Sequence, residues 1–193
     1  MVLENRFNKL IEARHGTILY NKNDIYIGKS IEKYGEFSYL EAKIFEQICK
    51  DGDVVIEVGA NIGAHTLYLS KLVGNGYVFA FEPQRLVFQN LCANLALNSI
   101  SNVFAYQEAV SNENGTIIIP ECNFKENNNF GGINIENTKN GTTVNRQKLD
   151  NFLNKIDRLK LLKIDVEGME ILVIKGAKEL IDKFRPIIYI END

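Results

Sequence analysis

The chain has 193 residues, enough for one domain with a real core, and its 45% apolar and 24% charged residues are the balance of an ordinary globular protein. Twenty-two basic against 25 acidic residues leave a net charge of −3, which argues against a broad basic face for nucleic acid. Cys49, Cys92 and Cys122 are odd in number and far apart, the charged N-terminus has no apolar signal core, and no apolar run reaches the roughly 20 residues of a bilayer span, so a soluble cytoplasmic protein is expected.

Residues 1–50 read as a lead-in to a regular domain over 51–193, the two making one compact unit. Leu3, Phe7, Leu10 and Ile11 have helical spacing. Short apolar runs at 17–20 and 24–27 flank Asn21-Lys22-Asn23, which predicts a hairpin turn. A helix is predicted over 38–50, with Leu40, Ile44, Phe45 and Ile48 on one stripe and Ser38 as its cap. From residue 53 the pattern alternates: strand 54–58, helix to about 73, strand 77–81, helix 84–98, strand 103–106. Residues 111–147 are irregular and rich in Asn and Gly, with one β-like run at 116–119. Strand 161–165, helix 169–181 and strand 187–190 complete the pattern. Strands alternating with helices predict a doubly wound α/β domain with a mostly parallel sheet.

The first loaded segment is Val55-Ile56-Glu57-Val58-Gly59-Ala60-Asn61-Ile62-Gly63. A buried strand ends in an acid, and a glycine turn opens a helix. Gly59 permits a tight turn with close approach of a ligand, and Gly63 lets the helix pack near the sheet. Asn61 stands where a dinucleotide fingerprint has its middle glycine, which disfavours an NAD-dependent oxidoreductase. Glu57 suits a cationic ligand, such as a methionine-derived cofactor, better than a diphosphate. The next strand ends in Glu82, 19 residues after Gly63, where a carboxylate can hold a ribose diol. Glu82 reads equally as an acid beside a helix N-terminus with Pro83 in its first turn. Glu108 follows the third strand and either accepts from an adenine amino group or is simply exposed.

The second segment is Leu161-Leu162-Lys163-Ile164-Asp165-Val166-Glu167-Gly168-Met169-Glu170. It places Asp165 and Glu167 at the carboxyl edge of the sheet, where open α/β sheets bind ligands. The apolar neighbours Ile164 and Val166 predict a raised pKa for Asp165, as a general base requires. A divalent cation held by Asp165 and Glu167 is the alternative, but a third ligand would have to come from Glu191 or Asn192, so no metal is assigned. Glu170 reads as a helix cap. The turn lacks the Asn/Asp-Pro-Pro-aromatic pattern of many N-methylating enzymes, which points to a hydroxyl acceptor. His65 reads as a polar helix-start residue and His15 as a surface residue.

Taken together, these residues resemble the FkbM family of S-adenosylmethionine (SAM)-dependent methyltransferases. The resemblance runs from Tyr34-Gly35-Glu36 through VIEVGANIGAHTLYLS (55–70), AFEP (80–83), the Asn-rich helix 90–98, Asn129-Phe130-Gly131-Gly132 and KIDVEGMEILVIKGA (163–177) to RPIIYIE (185–191). It implies a class I, Rossmann-like methyltransferase sheet, with Glu57, Gly59, Asn61 and Gly63 around the methionine part of SAM. Glu82 would then hold the ribose, and Asp165 and Glu167 would border the transfer site. Many members methylate hydroxyls, so a sugar or another small hydroxylated metabolite is the expected acceptor. Class I sheets usually continue past the fifth strand into an antiparallel hairpin, and none is predicted within these residues. An uncovered edge at 187–190 would favour self-association. A non-catalytic SAM-fold subunit that binds a partner through that edge is the competing reading from another class.

Overall fold

A computed structural model describes residues 3–133 and 140–191. The lead-in differs from its predicted form. Strands β1 (Leu3–Glu4), β2 (Asn8–Ala13) and β3 (Gly16–Asn21) make a small antiparallel sheet. The expected first helix is broken at Asn5, whose Oδ1 accepts from the backbone N–H of Phe7 (3.2 Å) and Asn8 (2.8 Å), a side-chain turn that competes with helix. Beyond it, alternation takes over, and Leu10 pairs with Leu19 and Ile11 with Ile18. The hairpin turn therefore lies at Arg14-His15, not at Asn21-Lys22-Asn23. That second site is a turn too, closed by Asn23 N–H donating to Asn21 Oδ1 at 2.9 Å, but it leads into helix α1 (Ile27–Tyr34). Asp24, buried, accepts from Tyr26 N–H at 2.9 Å just ahead of that helix.

Helix α2 (Tyr39–Ile48) forms as expected, although the hydroxyl of Ser38 bonds to the Glu41 carboxylate and not to a backbone N–H. The main sheet then builds from β4 (Val54–Val58), α3 (Ala64–Val73), β5 (Tyr77–Phe81), α4 (Arg85–Leu97) and β6 (Val103–Tyr106). The segment read as irregular supplies two strands of a second, three-stranded sheet. Its strands are β7 (Glu108–Val110), β8 (Gly115–Ile119) and β9 (Thr142–Gln147), in the order β7-β9-β8. In β9 only Val144 is buried, so its TTVNRQ text carries almost no apolar signal. Strand β10 (Leu161–Ile164) is followed by α5 (Glu170–Gly176) and α6 (Lys178–Phe184), where one helix is predicted. They separate at Gly176, which lies so close to Ser111 that a Cβ would collide with its carbonyl oxygen. Strand β11 (Ile187–Ile190) ends the described chain as a sheet edge, with Ile187, Ile188 and Ile190 about two-fifths exposed.

The order of the main sheet is β11-β10-β4-β5-β6, and every pair in it is parallel. This is the doubly wound class I methyltransferase arrangement, and its order reverses between β4 and β10, where such sheets open a ligand crevice. Val54, Ile56 and Val58 of β4 pack with Leu162, Ile164, Val173 and Leu180 on one face of the sheet. Val55 meets Phe45, Leu69 and Val73 on the other. Glu57 shares that second face by the period-two rule. No helix among the described residues is long and apolar enough to cross a membrane.

The lead-in is fastened to the main domain by amides. Asn94 Oδ1 accepts from Leu19 N–H (2.6 Å) while its Nδ2 donates to Leu19 O (3.0 Å) and to Ile62 O (2.8 Å). One turn on, Asn98 holds Thr17 in the same way, at 2.9 and 2.7 Å. Asn94 of α4 and Asn98 at its C-terminal cap thus imitate a strand against β3. Asn94→Ala strands one buried and two part-buried backbone groups, at about 1–3 kcal/mol each in the worst case. We expect a loss of roughly 2–4 kcal/mol in urea unfolding, clearly more than for the more exposed Asn98→Ala. A loss below about 1 kcal/mol would show the ladder to be dispensable.

Candidate functional site

The carboxyl ends of β4, β5 and β10 frame two narrow cavities. One, of about 50 Å³, runs between Val58, Gly59, Phe81, Glu82, Pro83, Glu108, Val110, Ile133, Asp165, Val166 and Met169. The other, of about 70 Å³, lies between Tyr26, Phe37, Glu41, Asn61, Asn129, Glu167 and Glu191. Gly59, Glu82, Gly131, Asp165 and Glu167 border both, so the cavities meet at these residues.

Gly59 is in the left-handed region (φ 85°), and a Cβ there would collide with the carbonyl oxygen of Asp165. Its lack of a side chain therefore serves the packing of β4 on β10 as well as the opening of the cleft. Asn61, at φ 52°, turns the loop and donates its backbone N–H to Glu82 Oε2 at 3.0 Å. Gly63 makes room for Leu91 of α4, where close packing on the sheet was expected. Glu82 is 3% exposed, and its other oxygen accepts from Gln84 N–H at 2.8 Å. Burial pushes its carboxyl up to about 7 against these two bonds.

Glu57 lies one layer beneath the cavities. Its side chain is fully buried, Oε2 accepts from the Thr66 hydroxyl at 2.6 Å, and Oε1 stands 3.9 Å from Lys163 Nζ. Burial raises it to about 7, although Lys163 and Thr66 pull the other way. Lys163, 1% exposed, is its register partner on β10 and donates to Asp165 Oδ2 at 2.9 Å.

That contact corrects the expectation for Asp165. Burial would raise its carboxyl, as Ile164 and Val166 predict, but the Lys163 ammonium and a hydrogen bond with Glu191 outweigh it and hold the group below the usual carboxylate range. Asp165 is a stable carboxylate, not a base tuned to neutrality. Glu167, at φ 52°, borders both cavities beside it. Glu108 reaches the first cavity but is engaged by the Gln147 amide.

Glu170 accepts from Gly168 N–H at 3.1 Å, as a cap does. His65 is buried between Phe37 and Phe45, and burial drives it down to about 3, so it is neutral. His15 is half-buried against Tyr68 at 4.2 Å, where a surface position was expected. Among the described residues no group of three or more His, Cys, Asp or Glu could hold a metal ion. Asn192 lies outside those residues.

Sequence reading passed over Lys163, Glu41 and Thr66. Lys163 alone left a signal: a lysine inside an otherwise apolar strand, on the same pleat as Asp165.

The profile of the methyltransferase FkbM domain matches residues 57–193. Methyltransferase sdnD of Sordaria araneosa is 28% identical, over 75% of this chain and 70% of that protein. Hexuronic acid methyltransferase AglP of Haloferax volcanii is 26% identical, over 72% of this chain and 56% of that protein. A solved SAM-dependent methyltransferase from Aquifex aeolicus superposes with a TM-score of 0.44 at 19% identity, covering 77% of this chain and 60% of that one.

The buried carboxylate at Glu82 makes a checkable demand on stability. Its folded value of about 7 lies above the ordinary 4.5, so the fold favours the neutral form. The stability tied to it is complete below pH 4.5 and is lost as pH rises through 7. Glu82→Gln removes this dependence while Glu57 contributes equally to both proteins. Between pH 4.5 and 8 the stability difference should move toward the variant by on the order of 3 kcal/mol, read from melting in the absence of cofactor. Parallel stability curves would refute the burial effect.

Proposed function

Because the chain belongs to the FkbM methyltransferase family, whose members use SAM, we propose that it methylates a hydroxyl on a sugar or small hydroxylated metabolite. The observation that carries this reading is the line of carboxylates along the joined cavities, with Glu82 at one side of Gly59 and Asp165 and Glu167 at the other. Val58, Phe81, Pro83, Val110 and Met169 give the first cavity apolar walls suited to a flat base. In this reading Glu82 accepts from ribose hydroxyls, and the acidic end suits an ammonium and a sulfonium. Asn61 and Gly63 shape the loop around that end, while Glu57 acts from below by fixing Lys163.

The cavities are smaller than the roughly 300–1,000 Å³ of small-molecule sites. The turn at 129–132, where Asn129 Oδ1 accepts from the N–H of Gly131 and Gly132 at 3.1 Å, borders both cavities through Gly131. SAM supplies a methyl group on a good leaving group, so alignment and removal of one proton are what the protein must add. Asp165 holds and orients the acceptor hydroxyl and takes its proton late, when the new bond has made that oxygen acidic. Its low pKa fits this role better than that of an initiating base. The turn Asp165-Val166-Glu167-Gly168, which lacks an amine-cradling proline pair, supports a hydroxyl acceptor, and the likeness to a hexuronic acid methyltransferase supports a sugar.

Glu82→Ala should weaken S-adenosylhomocysteine binding by about 2–4 kcal/mol in calorimetry, the loss of two charge-assisted bonds. Asp165→Asn keeps the shape and should lower methyl transfer by about 10²–10⁴-fold with cofactor affinity nearly unchanged. Affinity that collapses with the aspartate would make Asp165 a cofactor residue, and unchanged transfer would remove it from the reaction.

A further inference from the structure

A cleft of about 420 Å³ opens from the second cavity to the surface, and the two share Tyr26, Phe37, Glu41 and Glu191. Given the methyltransferase reading, we propose that this cleft is the acceptor site and that it selects a hydroxylated ring carrying an anionic group, such as a uronic acid glycoside.

Size, shape and charge carry the proposal. The volume falls in the roughly 300–1,000 Å³ range of small-molecule sites, unlike either inner cavity. Its walls present aromatic faces where an unpartnered surface would be polar. Tyr26 is 60% exposed and Tyr34 62%, and Tyr26 is steadied edge-on against Phe37 at 5.8 Å. Exposed, steadied tyrosines offer both a ring face for stacking and a hydroxyl for hydrogen bonds.

Charge is graded along the cleft. At the rim, Lys29 and Lys33 sit one turn apart on α1 and so share a face. Glu32 is the carboxylate near them, and it is already divided between Lys9 (2.5 Å) and Lys29 (3.0 Å). Lys33 stands over the Tyr34 ring at 4.8 Å and has no carboxylate partner among the described residues. The rim is therefore net positive. The inner end carries the Glu41 carboxylate, with Asp165 and Glu167 beyond. An anionic substituent is drawn to the rim and repelled from the inner end, so a neutral hydroxyl is the part that reaches the transfer site. The same gradient places the cationic cofactor inside and the anion outside, which fixes the direction in which the acceptor enters.

Saturation-transfer NMR on the full chain, with methyl glucuronoside and methyl glucoside as probes, tests this with and without S-adenosylhomocysteine. The glucuronoside should bind at least about tenfold more tightly than the neutral glycoside, with the difference shrinking as salt is added. Lys29→Glu with Lys33→Glu should abolish the preference while leaving affinity for the neutral probe and for S-adenosylhomocysteine within about twofold. Tyr26→Ala should weaken both glycosides by about tenfold. Equal binding of the two probes, or a preference that survives the lysine reversal, overturns the proposal even where S-adenosylhomocysteine binds normally. Loss of S-adenosylhomocysteine binding by the unaltered chain would instead count against the methyltransferase reading, and the glycoside comparison without cofactor would still decide the cleft.

Discussion

One buried ammonium organises the site. Lys163 has carboxylates on two sides, Glu57 across the β4–β10 register and Asp165 two residues on along the same face, and all three lie where the strand order reverses. Taking an ammonium out of water costs several kcal/mol after relaxation, and only well-placed partners offset it. The partners are unequal. Asp165 at 2.9 Å takes the hydrogen bond and is held ionised, while Glu57 at 3.9 Å is left near the midpoint of its titration. One lysine thus sets the charge of the residue that faces the cleft through a contact that itself lies beneath it.

The arrangement explains why the strands at this point tolerate so little change. Gly59 cannot carry a side chain because the Asp165 carbonyl fills the space, and Asp165 N–H donates to Val58 O at 3.0 Å. The two loaded turns are therefore in backbone contact, and moving either moves both. Buried acids at Glu57 and Glu82 lower stability above their raised pKa values, a cost more often met at functional sites than where packing alone is served. His65, neutral and walled by aromatics, adds no charge to this balance at physiological pH.

Sequence reading went furthest where burial on both faces leaves little freedom. The five parallel strands and the helices between them are spelled by runs such as VVIEV and LLKI, and tertiary contacts only reinforce them. It failed in the lead-in, where the spacing of Leu3, Phe7 and Leu10 fits a helix but the Asn5 turn and pairing with β3 win. It failed again at β9, which is central in its small sheet but has only one buried residue, so its text shows no apolar alternation. Placing Glu82, Asp165 and Glu167 around one cleft was legible, because strand ends in such sheets converge. The protonation of Asp165 was not. Local neighbours Ile164 and Val166 predict desolvation, whereas the deciding charge lies two residues back on the strand and is fixed by a partner on another strand.

The Asn-rich helix carries a consequence beyond stability. Asn94 donates one proton to Leu19 O in the lead-in and the other to Ile62 O in the glycine loop, so a single amide ties both segments to α4. The chain leaving β3 runs directly into Tyr26 and α1, which wall the outer cleft, and the Ile62 loop shapes the inner one. The segment at 123–128 is held to the same corner, with Asn21 and Asn23 both donating to Phe124 O and Ile25 N–H donating to Asn128 O. Three pieces distant in sequence thus converge through amide contacts that carry no net charge. Such contacts are directional and insensitive to salt and pH, which suits the task of holding two clefts in register while the carboxylates between them change protonation. The separation of labour is physical: amides fix where the walls stand, and the buried ions fix what charge the walls present.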